Sequence, residues 1–336
     1  MTSDKIQLDH GSGGRASQEL IARAFLPYFD NVFLNELNDS AAVIWNGFRL
    51  AFTTDSYVVD PIFFPGGDIG RLAICGTVND LAMRGADPRY LSAGFILEEG
   101  FPLSDLERIL QSMAAASREA GVQVVTGDTK VVPRGAADKI FINTSGLGQI
   151  PPGIDVAGQN AAPGDLILVS GTVGDHGLTI LSRREGLSFE TPLQSDAAPL
   201  NGLVRSMLEA CPGLHVLRDP TRGGLATTLN EIANQSQVGL EIWEEALPIR
   251  NEVIAAAEIL GLDPLYLANE GKLVAFLPAE QAEKVLAAMR DQPYGREAVA
   301  IGRVLAENPG RVVLKTAIGG RRLLDLLTGE PLPRIC

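Results

Sequence analysis

Cysteine is scarce in this chain: among 336 residues only Cys75, Cys211 and Cys336 carry a thiol. An odd number of widely spaced cysteines, with no CxxC pair and no His/Cys ligand spacing, excludes a disulfide framework and a zinc ribbon and fits a reducing compartment. No window approaches 18 consecutive apolar residues, so no membrane span is expected. Lys and Arg total 28 against 41 Asp and Glu, a net charge of −13, and no basic run interrupts the excess. A chain without a basic face lacks the electrostatic footprint of nucleic-acid or anionic-membrane binding, and neither partner is expected. The opening MTSDKIQLDHGSGG has no charged segment leading into an apolar stretch and no Arg/Ser-rich amphipathic pattern, so a cytoplasmic location is the expectation. Neither GxxxxGK[ST] nor a GxGxxG turn between strand and helix occurs, so any nucleotide must use another cradle.

What is present suits ordinary folding: 46% of residues are hydrophobic and 21% charged, without low-complexity blocks. At roughly 150 residues per domain the length implies two domains. A first helix is predicted over 16–29, stopped near Pro27, then strands over 49–54, 90–97, 122–126 and 139–147 with helices over 69–84 and 104–120. The Pro- and Gly-rich stretch PPGIDVAGQNAAPGD, 151–165, reads as the inter-domain linker, with the boundary near Asp155. Beyond it a strand DLILVSG, a turn GTVGDHG and a helix over 178–184 are followed by helices over 200–209, 221–235 and 279–290. Further strands are read over 238–243, 273–277 and 312–315. Interleaved strands and helices in both halves give an α/β (α+β) class. The predicted units are an arm and helix over 1–34, domains over 35–154 and 155–327, and a tail over 328–336.

Two glycine clusters and a set of carboxylates carry the candidate chemistry. HGSGG, His10–Gly11–Ser12–Gly13–Gly14, precedes a helix, where backbone N–H groups and the helix dipole favour an anion; a flexible lead-in is the alternative. Asp39, Asp55, Asp80 and Asp128 each adjoin an apolar segment, and carboxylates converging from strand ends are what a Mg²⁺-nucleotide site needs. Singly, each reads more readily as a turn or cap residue; jointly they point to the site. RDPTRGGL adds Asp219 and Arg222 where a helix begins, either closing over phosphates or capping the helix. Cys75 and Cys211 read as packing residues. His176 in GDHG is left between a phosphate contact and a turn.

Together TTDS, TVNDLAMRGADPR, GDTKVV and RDPTRGG resemble the superfamily of aminoimidazole ribonucleotide synthetase, selenophosphate synthetase and thiamine-monophosphate kinase. Within it, HGSGG, TDSYVVDPIFFPGGDIG, ANEGKLV and the terminal PLPRIC are similar to the HypE family of hydrogenase maturation carbamoyl dehydratases. The resemblance implies a two-domain synthetase-like fold and a homodimer whose N-terminal sheets join into a β-barrel. It implies ATP and Mg²⁺ between the domains, with Asp39, Asp55, Asp80 and Asp128 facing metal and nucleotide, and Asn79, Thr129 and the HGSGG arm around the phosphates. It implies a HypF-like carbamoyltransferase and a HypC–HypD complex as partners.

The tail TGEPLPRIC has two prolines, a glycine and no helical period, so it is expected to leave the domain as an extended, mobile segment. Nine residues reach roughly 30 Å when extended. A frayed terminus with an incidental cysteine is the bland account; a reactive thiol is the other. The resemblance favours the second: a carbamoyl group on Cys336 is dehydrated to a thiocyanate with ATP, with Lys130 and Glu270 as the proton-accepting pair. The thiocyanate supplies cyanide for the iron of a [NiFe]-hydrogenase.

Overall fold

A computed structural model describes residues 5–186, 193–327, 329 and 334–336. The chain enters through a helix, α1 (Arg15–Leu20), which runs on through a wide turn at Ile21–Phe25 into α2 (Leu26–Phe29). Pro27 sits in the first turn of α2, just after the wide turn, and the helix ends two residues on, at Phe29. The N-terminal sheet is built from β1 (Ala41–Trp45), β2 (Phe48–Tyr57), β5 (Asp87–Glu98), β6 (Gln123–Val132) and β7 (Ile140–Gln149), in the order β1-β2-β7-β5-β6. A short ribbon, β3 (Phe63–Phe64) with β4 (Gly67–Asp68), leads into α3 (Ile69–Met83), and α4 (Leu103–Ala120) follows β5. The β1–β2 hairpin was not predicted, although its Asn46-Gly47 turn, with both residues at positive φ, is a strong hairpin signal.

Helix α3 is apolar on nearly every side and lies in the interior, between the N-terminal sheet and the C-terminal domain. Its first turn is closed by Asp68, whose side chain accepts from the Arg71 N–H at 2.9 Å. Helix α4 is amphipathic: Ile109, Met113, Ala116 and Ala120 form the buried stripe. The sheet's other face is uncovered. Phe48, Phe52 and Tyr90 are each half exposed or more, Trp45 is 68% exposed, and edge strand β6 is exposed along almost its whole length.

The C-terminal domain holds β8 (Asp165–Val169), α5 (Asp175–Arg184), α6 (Asn201–Ala210), β9 (Val216–Arg218), α7 (Gly224–Ser236), β10 (Gly239–Trp243) and α8 (Asn251–Leu260). It continues with β11 (Val274–Pro278), α9 (Ala282–Arg290), β12 (Val299–Leu305), β13 (Val312–Lys315) and β14 (Arg321–Leu324). The sheet order is β14-β13-β10-β12-β8-β11-β9, antiparallel except for β10 with β13. Residues of α6 and α9 pack in one core with Leu81 and Met83 of α3, and α7 packs in a second on β10, β11 and β12.

Two expectations are corrected. Strand β6 runs through GDTKVV, so Lys130 lies within a strand rather than after one. GDHG is not a turn: Asp175 and His176 open α5, and His176 is fully buried. The 151–165 stretch between the domains is packed, with Ile154 and Val156 in the core and the Arg84 side chain bonded to the Val156 carbonyl at 2.9 Å. Helix α8 and strands β9, β12 and β14 were not foreseen, because short apolar runs shared by helix and strand carry no decisive period. No described helix is long and apolar enough to cross a membrane.

Candidate active site

A cavity of about 740 Å³ opens between the domains, and each wall comes from a different element. Strand alternation turns Thr53 and Tyr57 of β2 toward α3: Thr53 Oγ1 donates to Asp80 Oδ2 at 2.8 Å, and Tyr57 Oη lies 3.4 Å from Thr77 Oγ1. Asp55, of the same parity, lines the cavity. On α3, Gly76 and Asp80 stand four residues apart and share the face that lines it. Gly76 is required by proximity, since a Cβ there would lie 2.3 Å from the Tyr57 hydroxyl.

The C-terminal domain supplies the opposite wall. Arg218 ends β9, and Asp219, Thr221 and Arg222 follow before α7. Arg218 Nη1 donates to Asp39 Oδ1 at 2.5 Å and is nearly buried, which ties Asp39 into a tight ion pair. Glu270 is 3% exposed, in the bend before β11; its backbone N–H donates to Asp196 Oδ1 at 3.0 Å. Gly271 after it permits close packing, since a Cβ would lie 1.8 Å from the Asp196 carbonyl oxygen. Gln18, Ile21 and Ala22 of the N-terminal helix form a third wall that the sequence reading missed, as it missed Arg218, Glu231 and Gln235.

Asp39, Asp55, Asp80, Asp219 and Glu270 thus converge on one space. Burial raises the carboxyl pKa of Asp80 well above the usual range, and Asp219, Asp55 and Asp39 push it further. Asp219 and Glu270 are likewise well raised, first by burial and then by neighbouring acids. Asp39 and Asp55 are raised by burial despite Arg218 and Arg222 respectively. Glu270 Oε1 is buried with no hydrogen-bond partner among the described residues. Such a cluster is a standing demand for a cation. Among the described residues no three His, Cys, Asp or Glu side chains close on one point as a finished cage. Hard oxygens spread around a roomy space fit Mg²⁺, which keeps waters and shares phosphate oxygens.

The chain terminus enters the same cavity. Cys336 lines it, and the described end of the tail, Arg334–Cys336, is docked rather than loose. Val58 N–H donates to the Cys336 carbonyl at 2.9 Å and Asp60 N–H to the Arg334 carbonyl at 3.2 Å. Ile335 is buried in the core shared by α3, α5 and α8, and full burial of such a side chain contributes about 1.5–3 kcal/mol. That exceeds what the part-exposed Arg334–Asp138 ion pair adds, about 0–1 kcal/mol. The rest of the predicted tail, 328 and 330–333, lies outside the described residues.

Other predicted residues stand elsewhere. Asn79 is buried with its amide already engaged: Nδ2 donates to the Ala198 and Glu270 carbonyls, and Oδ1 accepts from Leu200 N–H at 2.8 Å. It binds α3 to the C-terminal domain. The HGSGG arm does not line the cavity: Gly11 receives a bond from Arg222 at 3.1 Å, Ser12 bonds back to Asp9, and Gly14 abuts Leu327. Its His10 accepts from Gln7 N–H. Asp128, Thr129 and Lys130 lie on edge strand β6, outside the cavity, and Lys130 Nζ pairs with Asp128 at 2.6 Å. Within one chain, then, Lys130 and Glu270 are not brought together. Cys75 and Cys211 are buried in apolar cores, and burial lifts the Cys75 thiol to about 12.

Comparison with known proteins covers both domains. The family models "AIR synthase related protein, N-terminal domain" and "AIR synthase related protein, C-terminal domain" match residues 38–150 and 162–315. The chain is 57% identical to the carbamoyl dehydratase HypE of Azotobacter vinelandii over 336 residues, covering 100% of this chain and 98% of that one. A crystal structure of the hydrogenase maturation protein HypE in complex with ATP superposes with a TM-score of 0.84 at 58% identity, covering 99% of this chain and 100% of that one. A crystal structure of a HypE–HypF complex is similar at a TM-score of 0.88 and 50% identity, covering 92% of this chain and 99% of the other.

Proposed function

We infer that this chain, which belongs to the HypE family of AIR synthase related proteins, is a carbamoyl dehydratase that works on its own terminal sulfur with ATP. The observation that carries the reading is the placement of Cys336 in the cavity that gathers Asp39, Asp55, Asp80, Asp219 and Glu270. A thiol on a tethered arm and an acid cluster suited to Mg²⁺-ATP have no shared purpose in a small-molecule kinase. They have one if the arm carries the substrate.

The difficulty of the reaction is the leaving group. Turning S–C(=O)NH₂ into S–C≡N removes the amide oxygen, which departs poorly unless it is activated. The carboxamide oxygen attacks the γ-phosphorus, ADP leaves, and loss of one of the two nitrogen protons to solvent leaves a neutral O-phosphorylated imidate with one N–H. Loss of the remaining nitrogen proton then breaks the C–O bond, releasing phosphate and leaving thiocyanate on Cys336. Asp39, Asp55, Asp80 and Asp219 would hold Mg²⁺, which supplies neutralising charge to the moving phosphoryl group. Arg222 adds positive potential at the cavity wall. Thr53 holds the Asp80 carboxyl in place, and the docked backbone of 334–336 orients the sulfur.

Glu270 is the proton acceptor in this scheme. Its burial among other acids keeps it protonated until a cation relieves the cluster; once ionised, its unpartnered oxygen can take the carboxamide proton. Lys130 and Asp128 join this chemistry across a homodimer: edge strand β6 and the uncovered sheet face of one chain pair with those of another, completing a barrel and presenting GDTK to the partner's cavity. A HypF-like carbamoyltransferase loads the sulfur, a HypC–HypD complex takes the cyanide for hydrogenase iron, and the work takes place in the cytoplasm. The test is deletion of Cys336. ATP binding should survive, while the terminal peptide should no longer gain the carboxamide and then lose the mass of one water, read by mass spectrometry. Turnover at the wild-type rate by the deleted chain would point instead to a free small-molecule substrate.

A further inference from the structure

We propose that His176, held by Ser195, is a positioning residue that fixes the register of the docked tail and thereby aims the Cys336 sulfur into the cavity. His176 is fully buried at the start of α5. Its Nε2 lies 2.8 Å from the Ile335 carbonyl and its Nδ1 2.8 Å from Ser195 Oγ. A carbonyl oxygen only accepts, so Nε2 carries the proton and donates; Nδ1 must then accept from the Ser195 hydroxyl. The ring stands edge-on to Phe64, with centroids 5.7 Å apart. Both polar atoms of a buried imidazole are therefore committed, one of them to the tail.

The geometry reads register because extended chain has a period of two. The Arg334 and Cys336 carbonyls accept from Asp60 and Val58 on one side, and the intervening Ile335 carbonyl accepts from His176 on the other. A slip of one residue would turn the Ile335 side chain out of the core and the cysteine away from the acids, and would leave the His176 N–H buried without its acceptor. Undocking incurs the same loss. The latch therefore favours the docked position, and its release frees the sulfur for loading. The second half of that statement rests on the activity proposed above; the first does not.

The experiment uses the full chain and iodoacetamide, with alkylation of the terminal peptide followed by mass spectrometry and buried Cys75 and Cys211 as silent controls. His176→Ala should raise the alkylation rate of Cys336 about tenfold, as loss of one buried hydrogen bond would. His176→Gln, which keeps an N–H donor at a similar reach, should return the rate to within about threefold of wild type. With a carbamoyl donor system, His176→Ala should load at least as fast as wild type yet convert to thiocyanate more slowly. A uniform fall in both steps would mark a merely structural residue and overturn the proposal. So would wild-type alkylation in a His176→Ala chain that still binds ATP. If His176→Ala fails to fold, Ser195→Ala decides: faster alkylation supports the latch, an unchanged rate refutes it. Absence of thiocyanate in the wild type would count against the proposed activity, while the alkylation ratios would still judge the latch.

Discussion

The inter-domain cavity and the outer edge strand β6 carry the same carboxylate chemistry in opposite surroundings. Asp80 sits on an interior helix, held by Thr53, among acids whose burial and mutual repulsion raise its carboxyl pKa well above the usual range. Asp128 is 68% exposed and paired with Lys130, which holds its carboxyl below the usual range. One region is a built site waiting for positive charge; the other already has its charge balanced and is waiting for a surface. The difference teaches that one chain gathers Asp39, Asp55, Asp80, Asp219 and Glu270 around a single space and leaves Asp128 and Lys130 outside it, on the edge strand of the sheet.

The largest effect that would sharpen this contrast is on turnover. Asp80→Asn should reduce thiocyanate formation by about 10²–10³-fold, in line with loss of a group that holds charge in the transition state. It should also raise the thermal midpoint of the nucleotide-free protein by about 1–3 °C, because a buried like-charge conflict is removed. Asp128→Asn should leave that midpoint unchanged. If it nevertheless cuts turnover as deeply as Asp80→Asn, strand β6 reaches a partner's cavity; if turnover is untouched, the dimer reading of GDTK fails.

Association comes next. Val131 on β6 is 67% exposed. Val131→Lys should weaken self-association at least about tenfold in sedimentation experiments, with little change in the melting of the separated chain. A wild-type chain that stays monomeric at high concentration would erase the contrast altogether.

The smallest effect is on stability with pH. The carboxyls of Asp80, Asp219 and Glu270 have folded-state pKa values above their unfolded ones. Their contribution to stability is therefore complete below the ordinary carboxylate range and is lost as pH rises through the raised values. If Mg²⁺ is held by the ionised acids, as proposed, its addition should raise the thermal midpoint more at pH 8 than at pH 5.5. Equal gains at both values would show that the cavity acids are already ionised. No such dependence belongs to Asp128, whose shift runs the other way.

Much of the site was legible in the sequence, Asp55, Asp80, Asp219 and Arg222 from local pattern and Glu270 and Cys336 through the family resemblance. Asp55, Asp80, Asp219, Arg222, Glu270 and Cys336 were all read as candidates, and all line the one cavity. Arg218 was not, since an arginine ending a strand carries no local sign that it will meet an acid 179 positions away. The helix wall of Gln18, Ile21 and Ala22 was hidden for the same reason: a helical period tells which face is apolar, and nothing about what that face will enclose. His176 was left between two readings, because its partner is a backbone carbonyl at the far end of the chain.

The amino-acid order alone determined that two mixed layers would form, that carboxylates would sit beside apolar runs, and that a thiol would hang on a proline-broken end. These follow from side-chain period, backbone restriction and charge, all properties of neighbours along the chain. Which carboxylates share a space, which are left on an edge, and where the thiol comes to rest were decided only by tertiary structure. Burial and pKa depend on groups brought together from distant segments, and no local pattern specifies the distance between them.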